Sequence, residues 1–76
     1  MKYRPITFGD RVRDFRKAHG WNQSQLAERA QISRNYVALI EQDKARNISL
    51  AVFTRLARAL MLEPASLLAV YLEMTE

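Results

Sequence analysis

Cysteine is absent from this chain of 76 residues, so disulfides and thiolate metal sites are excluded. A domain this short buries a limited fraction of its surface, and its core therefore has no covalent support. The missing cysteine fits a cytoplasmic protein. Histidine occurs once, as His19. With no second histidine and no carboxylate cluster at ligand spacing, neither a metal nor a histidine-centred catalytic site is expected. The two glycines, Gly9 and Gly20, stand alone and cannot form a phosphate-cradling loop. No stretch approaches the ~20 apolar residues of a membrane span, and the opening MKYRPITFGDRV has no apolar run suited to a signal peptide. No cofactor or small-molecule ligand is expected. An enzyme is the weakest reading, because no nucleophile–base pair can be assembled.

Twelve Lys and Arg stand against eight Asp and Glu, a net charge of +4, and the excess is unevenly placed. Residues 1–46 hold ten basic and five acidic residues, while residues 47–76 hold two and three. The N-terminal part carries the positive field, which would attract a polyanion. The plainer explanation is solubility, since many small proteins are mildly basic. The C-terminal part is near neutral and rich in Leu, Ala, Val and Met.

Nothing reads as a strand. Apolar residues recur at three and four, and the residues between mark helix ends. Thr7 precedes Phe8, Val12 and Phe15, with Asp10 placed for a capping box, and Gly20 ends this first helix. Asn22 caps a second helix, with Gln25 at the third position and Leu26, Ala27 and Ala30 inward. Ser33 caps a third, with Val37 and Ile40 inward. Ser49 caps a fourth, carrying Leu50, Phe53, Leu56, Ala57 and Leu60. Pro64, suited to a first helical position, starts a fifth of about residues 64–74 through Leu67, Leu68, Tyr71 and Leu72. The expectation is one all-α domain over residues 1–76, a five-helix bundle with no repeat, low-complexity tract or linker. Helices two and three are joined by about three residues, the tight joint of a helix-turn-helix.

The third helix poses the functional question. At ~100° per residue, Arg34, Asn35, Ala38 and Leu39 share a sector of roughly 140°, opposite Tyr36, Val37, Ile40 and Glu41. The core claims the second group, leaving the first for solvent or a partner. On duplex DNA, arginine donates twice to guanine, asparagine pairs both ways with adenine, and apolar groups meet thymine methyls. The helix N-terminus near Ser33 would favour phosphate. Arg34 and Asn35 as ordinary solvated residues is the competing reading, although Leu39 is awkward for it.

The run NQSQLAERAQISRNYVALIEQ resembles the helix-turn-helix of the lambda-repressor/Cro-like regulators of bacteria and phages. The resemblance runs from about Phe8 to Leu68. It rests on Arg16, Asn22–Gln23, Leu26–Ala27, Ile32–Ser33, Val37, Ile40–Glu41, Ser49–Leu50, the run ARAL and Pro64 to Leu68. SRNYVALIE followed by RNISL also resembles the restriction–modification controller branch. The resemblance implies a lambda-repressor-like fold and a set of roles. Ser33, Arg34, Asn35, Ala38 and Leu39 would face the major groove. Asn22, Gln23, Tyr36, Lys44 and Arg46 would contact phosphates, with Gln23 also bracing the start of the third helix. Arg16 and Glu41 would form a salt bridge between the first and third helices. Four positions depart from the family. Gln31, Asp43 and Met61 replace common glycines, and Ile48 replaces a common proline. A non-glycine residue at positive φ costs ~1 kcal/mol, so strain is expected at the turn, and the acid of Asp43 would slightly oppose DNA.

Other residues have quieter readings. His19 sits near a helix C-terminus, where a cation meets the dipole well. Trp21 is read as a lid on the core, and Arg11, Arg13 and Lys17 as a solvated face from which Arg13 could reach phosphate. The segment LLAVYLEM is more apolar than a small monomer's end requires. A helix apolar nearly all round is buried or paired, so Leu68, Tyr71 and Leu72 are expected at a homodimer contact, with a tail folded over its own core as the alternative. Two function classes follow: a homodimeric DNA-binding transcription regulator, in the cytoplasm and with repression as the simplest mode, or an antitoxin-like protein-interaction module for which DNA is secondary.

Overall fold

Local capping decides where each helix begins. In this computed structural model, which describes residues 6–73, the helices are α1 (Phe8–Ala18), α2 (Gln23–Ala30), α3 (Arg34–Glu41), α4 (Leu50–Ala59) and α5 (Pro64–Glu73). There is no strand among the described residues. Thr7 and Asp10 exchange hydrogen bonds as a capping box, as do Asn22 and Gln25. Ser33 accepts from Tyr36 N–H, and Ser49 from Val52 N–H. All five expected helices are present, though Met74, at the end of the expected fifth, lies outside the described residues.

Helix ends show where the sequence works against its own backbone. Each of α1 to α4 closes with the same pair of bonds: Gly20 N–H to Lys17 O and Trp21 N–H to Arg16 O for α1, Gln31 to Glu28 and Ile32 to Ala27 for α2, Asp43 to Ile40 and Lys44 to Leu39 for α3, and Met61 to Arg58 and Leu62 to Ala57 for α4. This closure holds one residue in the left-handed region. Only α1 uses glycine there, Gly20 at φ 75°. Gln31, Asp43 and Met61 adopt φ of 59°, 60° and 61°, so the strain expected at the turn of Gln31 recurs at the other two positions where the family's glycines are replaced. Asn47, at φ 54°, was not anticipated.

The core is drawn from every helix: Phe8 and Val12, Leu26, Ala27 and Ala30, Val37 and Ile40, Phe53, Leu56, Ala57 and Leu60, and Leu67. Phe8 stacks on Phe53 at 5.6 Å between ring centroids, and Tyr71 meets both edge-on at 5.0 and 5.5 Å. These three rings bind α1, α4 and α5 together. The structure differs here from the expectation that Tyr71 faces a partner chain, since its ring turns into the core. The exposed side of α5 is instead Ala65, Leu68, Ala69 and Leu72, spaced i, i+3, i+4 and i+7.

Gly9 marks the closest helix contact. A Cβ there would lie 2.5 Å from Glu41 O and 2.6 Å from Ile40 O, so α1 lies directly against the end of α3. Asp43 Oδ1 accepts from Gly9 N–H at 2.9 Å, and Arg13 Nη2 donates to Glu41 O at 2.9 Å. The carboxylate of Asp43 is thus engaged at the N-terminus of α1, where the helix dipole favours it.

Candidate nucleic-acid interface

The placement of α3 follows from what its inner side holds. Val37, Ile40 and Glu41 are buried, whereas Ser33, Arg34 and Asn35 are exposed and Ala38 and Leu39 half-buried. A glutamate in this position needs a partner. Arg16 provides it with two bonds, Nε to Oε2 at 2.7 Å and Nη2 to Oε1 at 3.0 Å. Its remaining terminal nitrogen, Nη1, donates to Trp21 O at 2.7 Å. The Arg16–Glu41 pair implied by the resemblance is therefore present and links α1 to α3.

The hydrogen bonding of Arg16 to the Glu41 carboxylate is the largest influence on its pKa and raises it above the ordinary arginine value, with burial opposing and Coulombic attraction adding. A pKa raised by folding contributes stability that is complete below the ordinary value and lost only as pH climbs through the raised one. This guanidinium therefore stays charged across the neutral range. Among the described residues, no buried side-chain nitrogen or oxygen lacks a hydrogen-bond partner.

Two further groups reach Glu41. Gln23 Nε2 donates to Oε1 at 3.2 Å, and Arg13 Nε lies 3.6 Å from the same oxygen. Arg13 also bonds Asp10 at 3.1 Å. It acts as a brace between α1 and the end of α3, where the sequence had suggested a solvated residue. The contacts of Gln23 and Arg13 with Glu41 span 18 and 28 positions along the chain, so no local pattern could have revealed them.

The other expected contact residues differ in exposure. Asn22 is exposed, and its Oδ1 is committed to Gln25 N–H, so only its NH2 end is left to donate. Tyr36 is half-buried against the core. Lys44 and Arg46 are exposed on the loop after α3, whose start is fixed by Lys44 N–H to Leu39 O at 2.8 Å. Ser33, Arg34 and Asn35 are exposed at the start of α3, while Gln23 at the start of α2 and the loop bearing Lys44 and Arg46 lie by its C-terminal end. Every donor class that a phosphate or a base edge requires is represented.

The remaining candidates sit elsewhere. His19 Nε2 donates to Leu60 O at 3.0 Å, and its ring stacks on Trp21 at 4.4 Å. Arg29 lies over the Trp21 indole, 4.5 Å from its centroid. Trp21 is partly buried against the core, a lid as expected. The described residues contain no group of three or more His, Cys, Asp or Glu placed to hold a metal. None of the described helices is long and apolar enough to cross a membrane.

Residues 7–70 match the family model described as a helix-turn-helix domain. The chain belongs to the lambda-repressor/Cro-like helix-turn-helix family. Family members similar to it include the immunity repressor protein of Bacillus phage phi105, 39% identical over 62 residues, which are 82% of this chain and 42% of the relative. The chain thus spans about two-fifths of that curated relative's length. Among solved structures, it is similar to the restriction–modification controller protein C.AhdI from Aeromonas hydrophila, at 40% identity and TM-score 0.74 over 82% of this chain and 92% of that one. It is also similar to SinR, the master regulator for biofilm formation, solved in complex with DNA, at 29% identity and TM-score 0.74 over 82% of this chain and 98% of that one.

Proposed function

We propose that this chain is a sequence-specific DNA-binding transcription regulator that places α3 in the major groove. The exposed flank of α3 carries the reading. Arg34 and Asn35 offer the two side chains best matched to guanine and adenine edges, and the buried Arg16–Glu41 pair holds their helix in place. Ser33, Ala38 and Leu39 complete the base-facing surface. Asn22, Gln23, Tyr36, Lys44 and Arg46 hold the phosphates on either side. Such contacts set the register without carrying sequence information. The relatives support a regulator in place of an enzyme: one is named a repressor, one a controller protein, and one was solved on DNA.

The regulator acts as a homodimer on a palindromic operator. Leu68 and Leu72, 38% and 57% exposed, lie one turn apart on α5 and form with Ala65 and Ala69 a stripe suited to an isologous contact. Two-fold pairing would set the recognition helices one DNA turn apart, ~34 Å. This reading places the protein in the cytoplasm with its DNA.

Enrichment of bound sequences from random duplexes is the test. A symmetric consensus with half-sites one turn apart supports the reading, and unenriched sequences at moderate salt contradict it. The competing function, an antitoxin-like interaction module, would give a monomer that dimerises only weakly and gains stability from a different chain.

A further inference from the structure

Glu41 Oε1 accepts from two donors at once, Arg16 Nη2 at 3.0 Å and Gln23 Nε2 at 3.2 Å. The two ends of a glutamine amide are unlike, one accepting and one donating, and a carboxylate bonded to a guanidinium accepts only. Gln23 must therefore aim its nitrogen end at Glu41. Phosphate oxygens also accept, so a glutamine free to rotate would present its carbonyl to a phosphate in half its orientations. Gln23 opens α2 and is half-buried, whereas Glu41 and Arg16 are 2% and 8% exposed. The anchor is thus more firmly held than the residue it holds.

We propose, on the DNA-binding reading above, that Glu41 is a positioning residue for the DNA backbone contact: it fixes the rotation of the Gln23 amide, so that one N–H stays on the protein and the second N–H of the same nitrogen is offered to a phosphate. The buried ion pair then has two outputs. It holds α3 against α1, and it sets a donor at the start of α2 in advance of binding. Ordering that side chain beforehand removes a cost that binding would otherwise carry, and the charge on its acceptor favours the retaining bond over one to a neutral carbonyl.

The two Gln23 side-chain amide protons give separate nuclear magnetic resonance signals, so the two roles can be observed separately. In the free protein, one proton should be shifted downfield and exchange slowly with water. Adding a duplex taken from the random-sequence enrichment should leave that proton in place and shift the other. Gln23→Ala should weaken binding of that duplex about fivefold, the worth of one hydrogen bond. Glu41→Gln should abolish the slow exchange, and in that background Gln23→Ala should cost about twofold or less. Equivalent, fast-exchanging protons in the free protein would overturn the proposal, as would slow exchange that survives Glu41→Gln. Shifts along Arg34 to Leu39 with both Gln23 protons unmoved would overturn it while leaving DNA binding intact. Absence of any shift along α3 would remove both. If Glu41→Gln does not fold, the wild-type proton pair and the Gln23→Ala affinity decide alone.

Discussion

Gly9→Ala separates two views of this glycine by the sign of one number. On helix propensity alone, alanine should stabilise a helical position by up to ~1 kcal/mol. The packing of α1 on α3 says otherwise. The new methyl would stand 2.5 Å from Glu41 O and 2.6 Å from Ile40 O, about 0.9 Å inside ordinary contact, and both are backbone atoms that cannot rotate away. Relief requires α1 to lift from the end of α3. Such overpacking costs ~1–3 kcal/mol, and the Asp43–Gly9 bond at 2.9 Å would be strained with it, at ~1 kcal/mol. After subtracting the propensity gain, the net loss is about 2 kcal/mol, which for a domain of this size lowers Tm by roughly 10 °C. Thermal unfolding followed by circular dichroism measures this directly. DNA affinity should fall as well, because the displaced segment carries Glu41 and leads into Lys44. A variant as stable as the parent, or more stable, would refute the close approach and the placement of α1 that depends on it.

Other perturbations reach the remaining parts of the fold and interface. Gln31→Gly and Met61→Gly should each stabilise by ~0.5–1 kcal/mol in denaturant titration, because both residues hold φ near 60° where glycine carries no steric cost. Asp43→Gly should not, since it also removes the carboxylate that accepts from Gly9 N–H. Lys44→Ala should weaken all duplexes about equally and reduce the slope of log affinity against log salt by about one contact. Leu68→Glu and Leu72→Glu should convert a dimer to a monomer in sedimentation equilibrium while the helical circular dichroism spectrum is kept, since both side chains lie outside the core, and Tm should fall only by the stabilisation that association adds.

Helix starts were legible because capping is local. Thr7, Asn22, Ser33 and Ser49 each bond a backbone N–H three positions ahead, a distance at which sequence spacing is also spatial spacing. The division of α3 was legible for the same reason, since eight residues at a fixed rotation leave little choice of face. Contacts between distant segments were not. Gly9 looked like one scarce glycine, and nothing near it in the chain announces the carbonyls of Ile40 and Glu41. By sequence Asp43 is an acid facing DNA and Arg13 a solvated base; their bonds to Gly9 N–H and Glu41 O form only when α1 and the end of α3 meet. Tyr71 reads as an interface residue because α5 is apolar on nearly every side, so its sequence contains no phase from which to tell a core ring from an exposed one. Phe8 and Phe53 supply that phase only once α1 and α4 are in place.

Arg34→Ala measures the central claim most directly, by comparing the duplex preferences of the variant and its parent at one salt concentration. If α3 reads base edges, the variant should lose ~1–3 kcal/mol on the preferred duplex, and its preference should relax at one symmetric pair of positions while non-specific binding changes little. An unchanged preference profile, or an equal loss on every sequence, would show that the exposed flank of α3 does not read DNA.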